Sequence, residues 1–161
     1  EYPKPASQLA SLIGTSRPVV WIWGHEHKFS MYGMAQVGAG VTAYGRCIGH
    51  GGMPVEVDGF KRNPSKHGAA LLTVYDDRVQ RTRIKRRTPL GYNGYAVIRL
   101  KAETLSVEYR DCYQSLVTER WQVSPDGAIA GSIEPAADCP LSPVSGKKWE
   151  DAVGPASVLP V

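Results

Sequence analysis

The stretch Val19-Val20-Trp21-Ile22-Trp23-Gly24-His25-Glu26-His27 decides how this chain is read. Five consecutive β-branched or aromatic residues predict a β-strand covered on both faces, and Gly24 ends it. Two histidines follow at once, one residue apart. In an extended segment, side chains two apart project to the same side. Both imidazoles can then face one pocket at the carboxyl end of a strand, where α/β folds place their sites. The glycine permits a tight turn and a close backbone approach. The intervening Glu26 is expected to point away from that pocket.

Upstream, Leu9, Leu12 and Ile13 stand at helical spacing within residues 6 to 13, with Gly14 placed as a C-cap. Downstream, glycines divide residues 29 to 57 into short candidate strands such as VTAYGRCI (41 to 48), and DGFKRNPSKHG (58 to 68) reads as a polar loop. ALLTVY (70 to 75) reads as a strand, and the alternation in residues 79 to 84 as a more exposed partner. GYNGYAVIRL (91 to 100), TLSVEYRD (104 to 111) and SLVTERWQV (115 to 123) then predict an antiparallel meander. After Ser124 prolines recur at 125, 135, 140, 143, 155 and 160 with little periodicity. Residues 124 to 161 are therefore read as a tail that wraps the domain or is disordered.

With 161 residues and 42% hydrophobic content, the chain supports one ordinary core, and hence one domain or part of one. No apolar run approaches the roughly 20 residues that cross a bilayer, so no membrane partner is expected. Residues 1 to 8 have neither the basic nor the apolar region of a secretory signal. Cys47, Cys112 and Cys139 are odd in number and far apart, which predicts reduced thiols in a cytoplasmic setting rather than a disulfide framework. A net charge of +4 permits anionic partners without requiring them.

Other candidate chemistry is weaker. A zincin motif would need histidine at position 29, which is Phe29. Gly38 and Gly40 lack the third glycine of a dinucleotide fingerprint, because position 43 is Ala43. His25, His27, Cys47 and His50 are suitable zinc ligand types, but their spacing matches no compact zinc motif. The basic run at residues 81 to 87 places Arg81, Arg83, Lys85 and Arg87 on one face of an extended segment. That pattern reads as a solvated or edge-protecting face. A phosphate-backbone contact for nucleic acid is the less favoured reading, since the aromatics that would stack single-stranded bases are missing.

A strand ending in Gly24-His25-Glu26-His27 resembles the last metal-ligand motif of the calcineurin-like metallophosphoesterases. The order helix, strand, Gly-His-x-His and then further strands looks like the C-terminal portion of that family, and YGRCIGHGGMPVEV (44 to 57) and the meander segments resemble stretches that follow the motif. The resemblance implies a strand-rich α/β fold, the C-terminal half of a two-layer β-sandwich flanked by helices, over residues 1 to 123. It implies a metal-dependent phosphoester hydrolase with two Mn, Fe or Zn ions. His25 would ligate one metal and His27 the other, with His50 as a possible group near the substrate phosphate.

The family's Asp-x-His, Gly-Asp-x-x-Asp and Gly-Asn-His motifs do not occur. No Asp has His two residues later, and neither Asn63 nor Asn93 precedes a histidine. Those ligands, and most catalytic residues, are expected upstream of residue 1. Two neutral imidazoles without carboxylates hold divalent ions weakly, so the chain alone is expected to be catalytically silent. A half-sandwich is further expected to leave an open strand edge or a large apolar surface where the missing N-terminal half docks. The competing reading is a small β-rich binding module that uses the basic segment 81 to 87 on an anionic polymer.

Overall fold

A computed structural model describes residues 4–15, 18–52, 55, 57, 71–80, 89–125 and 128–154. The apolar spacing near the start forms helix α1 (Lys4–Ile13), and the Gly14 N–H closes it by donating to the Ala10 carbonyl at 2.9 Å. The rest is strand-rich. Strands β1 (Val19–Trp23), β2 (Phe29–Gly38), β3 (Val41–Ile48) and β4 (Leu72–Tyr75) form one sheet in the order β1-β3-β2-β4. β1 runs parallel to β3, while β2 pairs antiparallel with β3 and β4. Strands β5 (Gly94–Lys101), β6 (Thr104–Asp111), β7 (Ser115–Val123) and β8 (Ile129–Pro135) form the second sheet as an antiparallel meander.

The two sheets pack face to face. Phe29, Met31 and Val74 of the first sheet meet Val107, Tyr109, Leu116 and Val117 of the second, and Leu141 and Ala152 complete this core. A smaller cluster of Tyr44, Trp121 and Val153 extends it. The alternation in β6 and β7 produces this division. Val107 and Tyr109 stand two apart and face inward, as do Val117, Glu119 and Trp121 at successive two-residue steps, with Glu108, Thr118 and Arg120 on the outer side.

Two expectations need correction. The run at residues 19 to 23 is a strand, but every one of its residues is half-buried rather than covered on both faces. The cause is position, since β1 ends its sheet and pairs with β3 alone among the described residues. Trp21 and Trp23 partly line an apolar depression of about 400 Å³ on the outer face of the first sheet, with Tyr32 and Leu71. The second correction concerns the region after Ser124, where no strand was expected. It contains β8, and beyond it the chain returns across the core. There Val74 bridges Pro143, the Val144 N–H donates to the Thr73 carbonyl at 2.8 Å, and a single 3₁₀ turn (Trp149–Ala152) buries Ala152. The polar loop at 58 to 68, the basic run at 81 to 87 and residues 155 to 161 lie outside the described residues. Val79 and Gln80, the described start of the alternating segment, are not in a strand.

One polar assembly bolts the sheets together. Arg46 on β3 and Glu119 on β7 are fully buried and paired at 2.8 Å. All five guanidinium N–H groups are used: Nε and Nη2 donate to Glu119 Oε2 (2.9 and 2.8 Å), Nη1 to the Tyr32 and Gly45 carbonyls (2.9 and 2.8 Å), and Nη2 also to the Ala152 carbonyl at 2.9 Å. The Tyr109 hydroxyl donates to Glu119 Oε1 at 2.5 Å. Burial, with the Glu119 carboxylate alongside, holds the Tyr109 phenol well above its usual range, so it stays a donor.

Candidate metal-ligand loop

β1 delivers the chain to a bend, Gly24 to Lys28, that carries His25 and His27, both exposed. The bend is fixed by its middle residue. The Trp23 indole N–H donates to Glu26 Oε2, so the carboxylate turns back along β1. The Glu26 carbonyl accepts from the Lys28 N–H at 2.8 Å and from the Cys47 thiol at 3.4 Å. Partial burial would push the Glu26 carboxyl up, but the indole, a backbone N–H and Lys28 outweigh it and hold the group below its usual value. It is therefore an anion held against β1. Cys47, buried against this loop, has its thiol pushed up to about 11 by burial, which keeps it protonated as a weak hydrogen-bond donor.

Gly49 sets the height of the loop above β3. A Cβ there would stand 1.9 Å from the Glu26 carbonyl oxygen and 2.5 Å from that of Gly24. No side chain fits without moving the bend. Gly49→Ala is expected to cost about 1–3 kcal/mol, as overpacking against fixed backbone does. Gly52→Ala, whose Cβ would meet nothing within 4 Å, should stay within about 0.5 kcal/mol. Denaturant midpoints of the two variants make the comparison, and equal midpoints would show that the bend is not held against Gly49.

His50 is placed differently from His25 and His27. It is 1% exposed, its ring tilted against Phe29 with centroids 5.4 Å apart. Its main-chain carbonyl accepts from the Gly94 N–H at 2.9 Å and from Asn93 Nδ2 at 3.2 Å. Neither ring nitrogen makes a well-formed hydrogen bond among the described residues. A Cβ at position 94 would stand 2.5 Å from Nε2, so that glycine makes room for the ring. The group lies inside the domain, not on a rim that meets solvent.

Burial lowers the His50 pKa, and Arg78 adds to this, while the Ile48 backbone, Asp76 and Asp111 pull the other way. The folded state therefore binds this proton less readily than the unfolded chain. Stability from His50 is complete above its unfolded value of about 6.5 and is lost as pH falls below it. Unfolding midpoints measured between pH 7.5 and 5.5, above the range where carboxylates protonate, should fall for the native sequence. The fall should be smaller in His50→Gln, and an equal fall in both would remove His50 as its cause.

Beside His50 lies a cluster that spacing did not reveal. Arg78 pairs with Asp76 at 2.8 Å and with Asp111 at 2.9 Å, and its guanidinium stacks over Tyr92 at 4.4 Å. Asp111 also accepts from the Tyr113 and Gln114 N–H groups, both at 2.8 Å. These carboxylates are committed to a cation and to a turn, joining the end of β4 to the β6–β7 connection. The fold does not gather His25, His27, Cys47 and His50 into one zinc site. Among the described residues, no three His, Cys, Asp or Glu side chains converge as metal ligands, and no helix is long and apolar enough to cross a membrane.

In comparisons of sequence and of fold, no family model matches the chain, and no curated protein or solved structure matches it.

Proposed function

We propose that this chain is the C-terminal part of a calcineurin-like metallophosphoesterase domain, a sandwich half that supplies His25 and His27 to a dinuclear metal site. One observation carries the reading. The two imidazoles stand exposed on a braced bend at the carboxyl end of a strand that runs parallel to its neighbour, the place where α/β sheets present their ligands. Neutral imidazole suits Fe and Zn, while Mn leans on carboxylate and water oxygens, so the pair fits part of such a site. The remaining charge must come from carboxylates elsewhere in the polypeptide.

Two bound metals would supply Lewis acidity toward the phosphoester and an acidified water as nucleophile. The chain's own contribution is positional. Glu26, held by the Trp23 indole, and Gly49, pressed beneath the Glu26 carbonyl, fix the segment on which both ligands sit. The binding-module alternative rests on residues 81 to 87 and gains no support from the bend.

The test is hydrolysis of a chromogenic phosphodiester and phosphomonoester with Mn, Zn or Fe. The 161-residue chain alone should be inactive, and the chain extended through its natural upstream sequence should be active. Turnover by the isolated chain, or none by the extended one, would contradict the proposal.

A further inference from the structure

We infer that the depression on the outer face of the first sheet is a binding site for a free α-amino acid with an aromatic side chain, its ammonium group received by Glu26 and its carboxylate by Lys28. This goes beyond the hydrolase reading and does not rest on it. Three observations carry it.

The first is a valley built into the sheet. Trp21 and Trp23 stand two apart on β1 and so share a face. On β3 the same face carries Ala43 and Gly45, which pair with Val19 and Trp21, and on β2 it carries Ala35 opposite Ala43. Short side chains beside the two indoles leave an opening of about 400 Å³, bounded by Tyr32 on β2 and by Leu71 just before β4. A Cβ at position 45 would stand 3.1 Å from the Trp23 ring, so the glycine lets that ring lie down on the sheet. There it stacks with Tyr32 at 5.8 Å and 29°. The walls suit a planar apolar group, and the volume lies within the roughly 300–1,000 Å³ of small-molecule sites.

The second is the charged end. Glu26 and Lys28 line this depression, while His25 and His27 do not. The bend thus turns a pair of opposite charges toward the aromatic wall. Glu26 Oε2 takes the Trp23 indole N–H, and a carboxylate has about four acceptor sites, so capacity remains for an ammonium. Lys28 already acts on Glu26. A ligand of one sign is therefore attracted by one of these groups and repelled by the other, whereas a molecule carrying both signs one carbon apart satisfies both.

The third is a buried hydroxyl. Ser30 is fully buried, and its Oγ makes no well-formed hydrogen bond among the described residues. It stands opposite Cys47 and two residues before Tyr32, on the face of the depression. Burial raises the Tyr32 pKa, the Ser30 hydroxyl lowers it, and Cys47 and Glu26 add to the rise. The neutral phenol and the serine are thus at the charged end. A buried polar group without a partner calls for one, and a polar head group held there supplies it.

L-phenylalanine titrated into the 161-residue chain, with tryptophan fluorescence and calorimetry as readouts, makes the test. Saturation is expected with a Kd of about 1 mM or tighter. L-phenylalanine amide and N-acetyl-L-phenylalanine each keep one charge, as the two ends of a peptide do, and should bind at least about tenfold more weakly. Glu26→Gln, which retains an acceptor for the indole, and Lys28→Gln should each weaken phenylalanine binding by about tenfold. Ala35→Leu fills the valley without touching either charge and should abolish saturation, with circular dichroism confirming that each variant is folded. No saturable binding, equal affinity for a singly charged derivative, or binding that persists in Ala35→Leu would overturn the inference. Loss of binding in the chain extended through its natural upstream sequence would also overturn it, by assigning the depression to that segment.

Discussion

Glu119→Ala is expected to destabilise the fold by about 3–5 kcal/mol, because it strands the Arg46 guanidinium as an unpaired charge in the core. Arg46 and Glu119 both have fully buried side chains, so water cannot replace the lost partner without opening the sandwich. The carboxylate also accepts from Tyr109, and its removal leaves that hydroxyl without its partner. Such a loss is a large share of the roughly 5–15 kcal/mol that stabilises a typical domain. Arg46→Met combined with Glu119→Leu should cost less than the two single losses added together, because no charge is then left alone. Urea unfolding at constant m-value separates these cases. A Glu119→Ala loss below about 1 kcal/mol would mean that the pair does not join the sheets in solution.

Much of the strand architecture is legible in the chain. β3, β6 and β7 begin and end where VTAYGRCI, TLSVEYRD and SLVTERWQV do, because alternation follows burial on one face and polar turns bound each segment. β1 was legible as a strand but not as an edge. A continuous apolar run looks the same whether the second neighbour is present or lies elsewhere. β8 was hidden by the recurring prolines, Pro125 before it and Pro135 at its end, and by Gly131 within it, which has no side chain to carry the alternation. In the fold that glycine lies against the Trp121 ring, where a Cβ would stand 2.6 Å from it. The period-two signal was nonetheless there in Ile129, Gly131 and Ile133, paired with Val123, Trp121 and Glu119.

For the candidate site, His25 and His27 could be singled out because the pattern is local, two imidazoles on one bend after one strand. The supports of that turn could not. Gly49 and Cys47 reach it from β3 and the residues just after it, and only the parallel β1–β3 register brings them there. The Arg46–Glu119 pair spans 73 residues, beyond any motif. A signal did exist, however. Each charge occupies an inward position of an alternating strand, next to Tyr44 in one case and between Val117 and Trp121 in the other, and a charge there needs a buried partner.

His25→Ala and His27→Ala carry the largest expected effect on activity. If each imidazole holds a different ion, losing either one removes the paired charge that acidifies the nucleophile. Hydrolysis by the upstream-extended chain should then fall by about 100-fold or more for each variant. The double variant should be little worse than either single, as groups that act as one unit behave. Gly49→Ala should give a smaller loss, because it displaces the bend without removing a ligand.

Metal content of the extended chain, measured by elemental analysis after removal of loosely bound ions, tests the central assignment most directly. The account predicts two tightly held Mn, Fe or Zn ions per chain, a loss of about one in His25→Ala or in His27→Ala, and loss of both in the double variant. Two ions retained by the double variant, with the chain folded, would show that this bend is not part of the metal site.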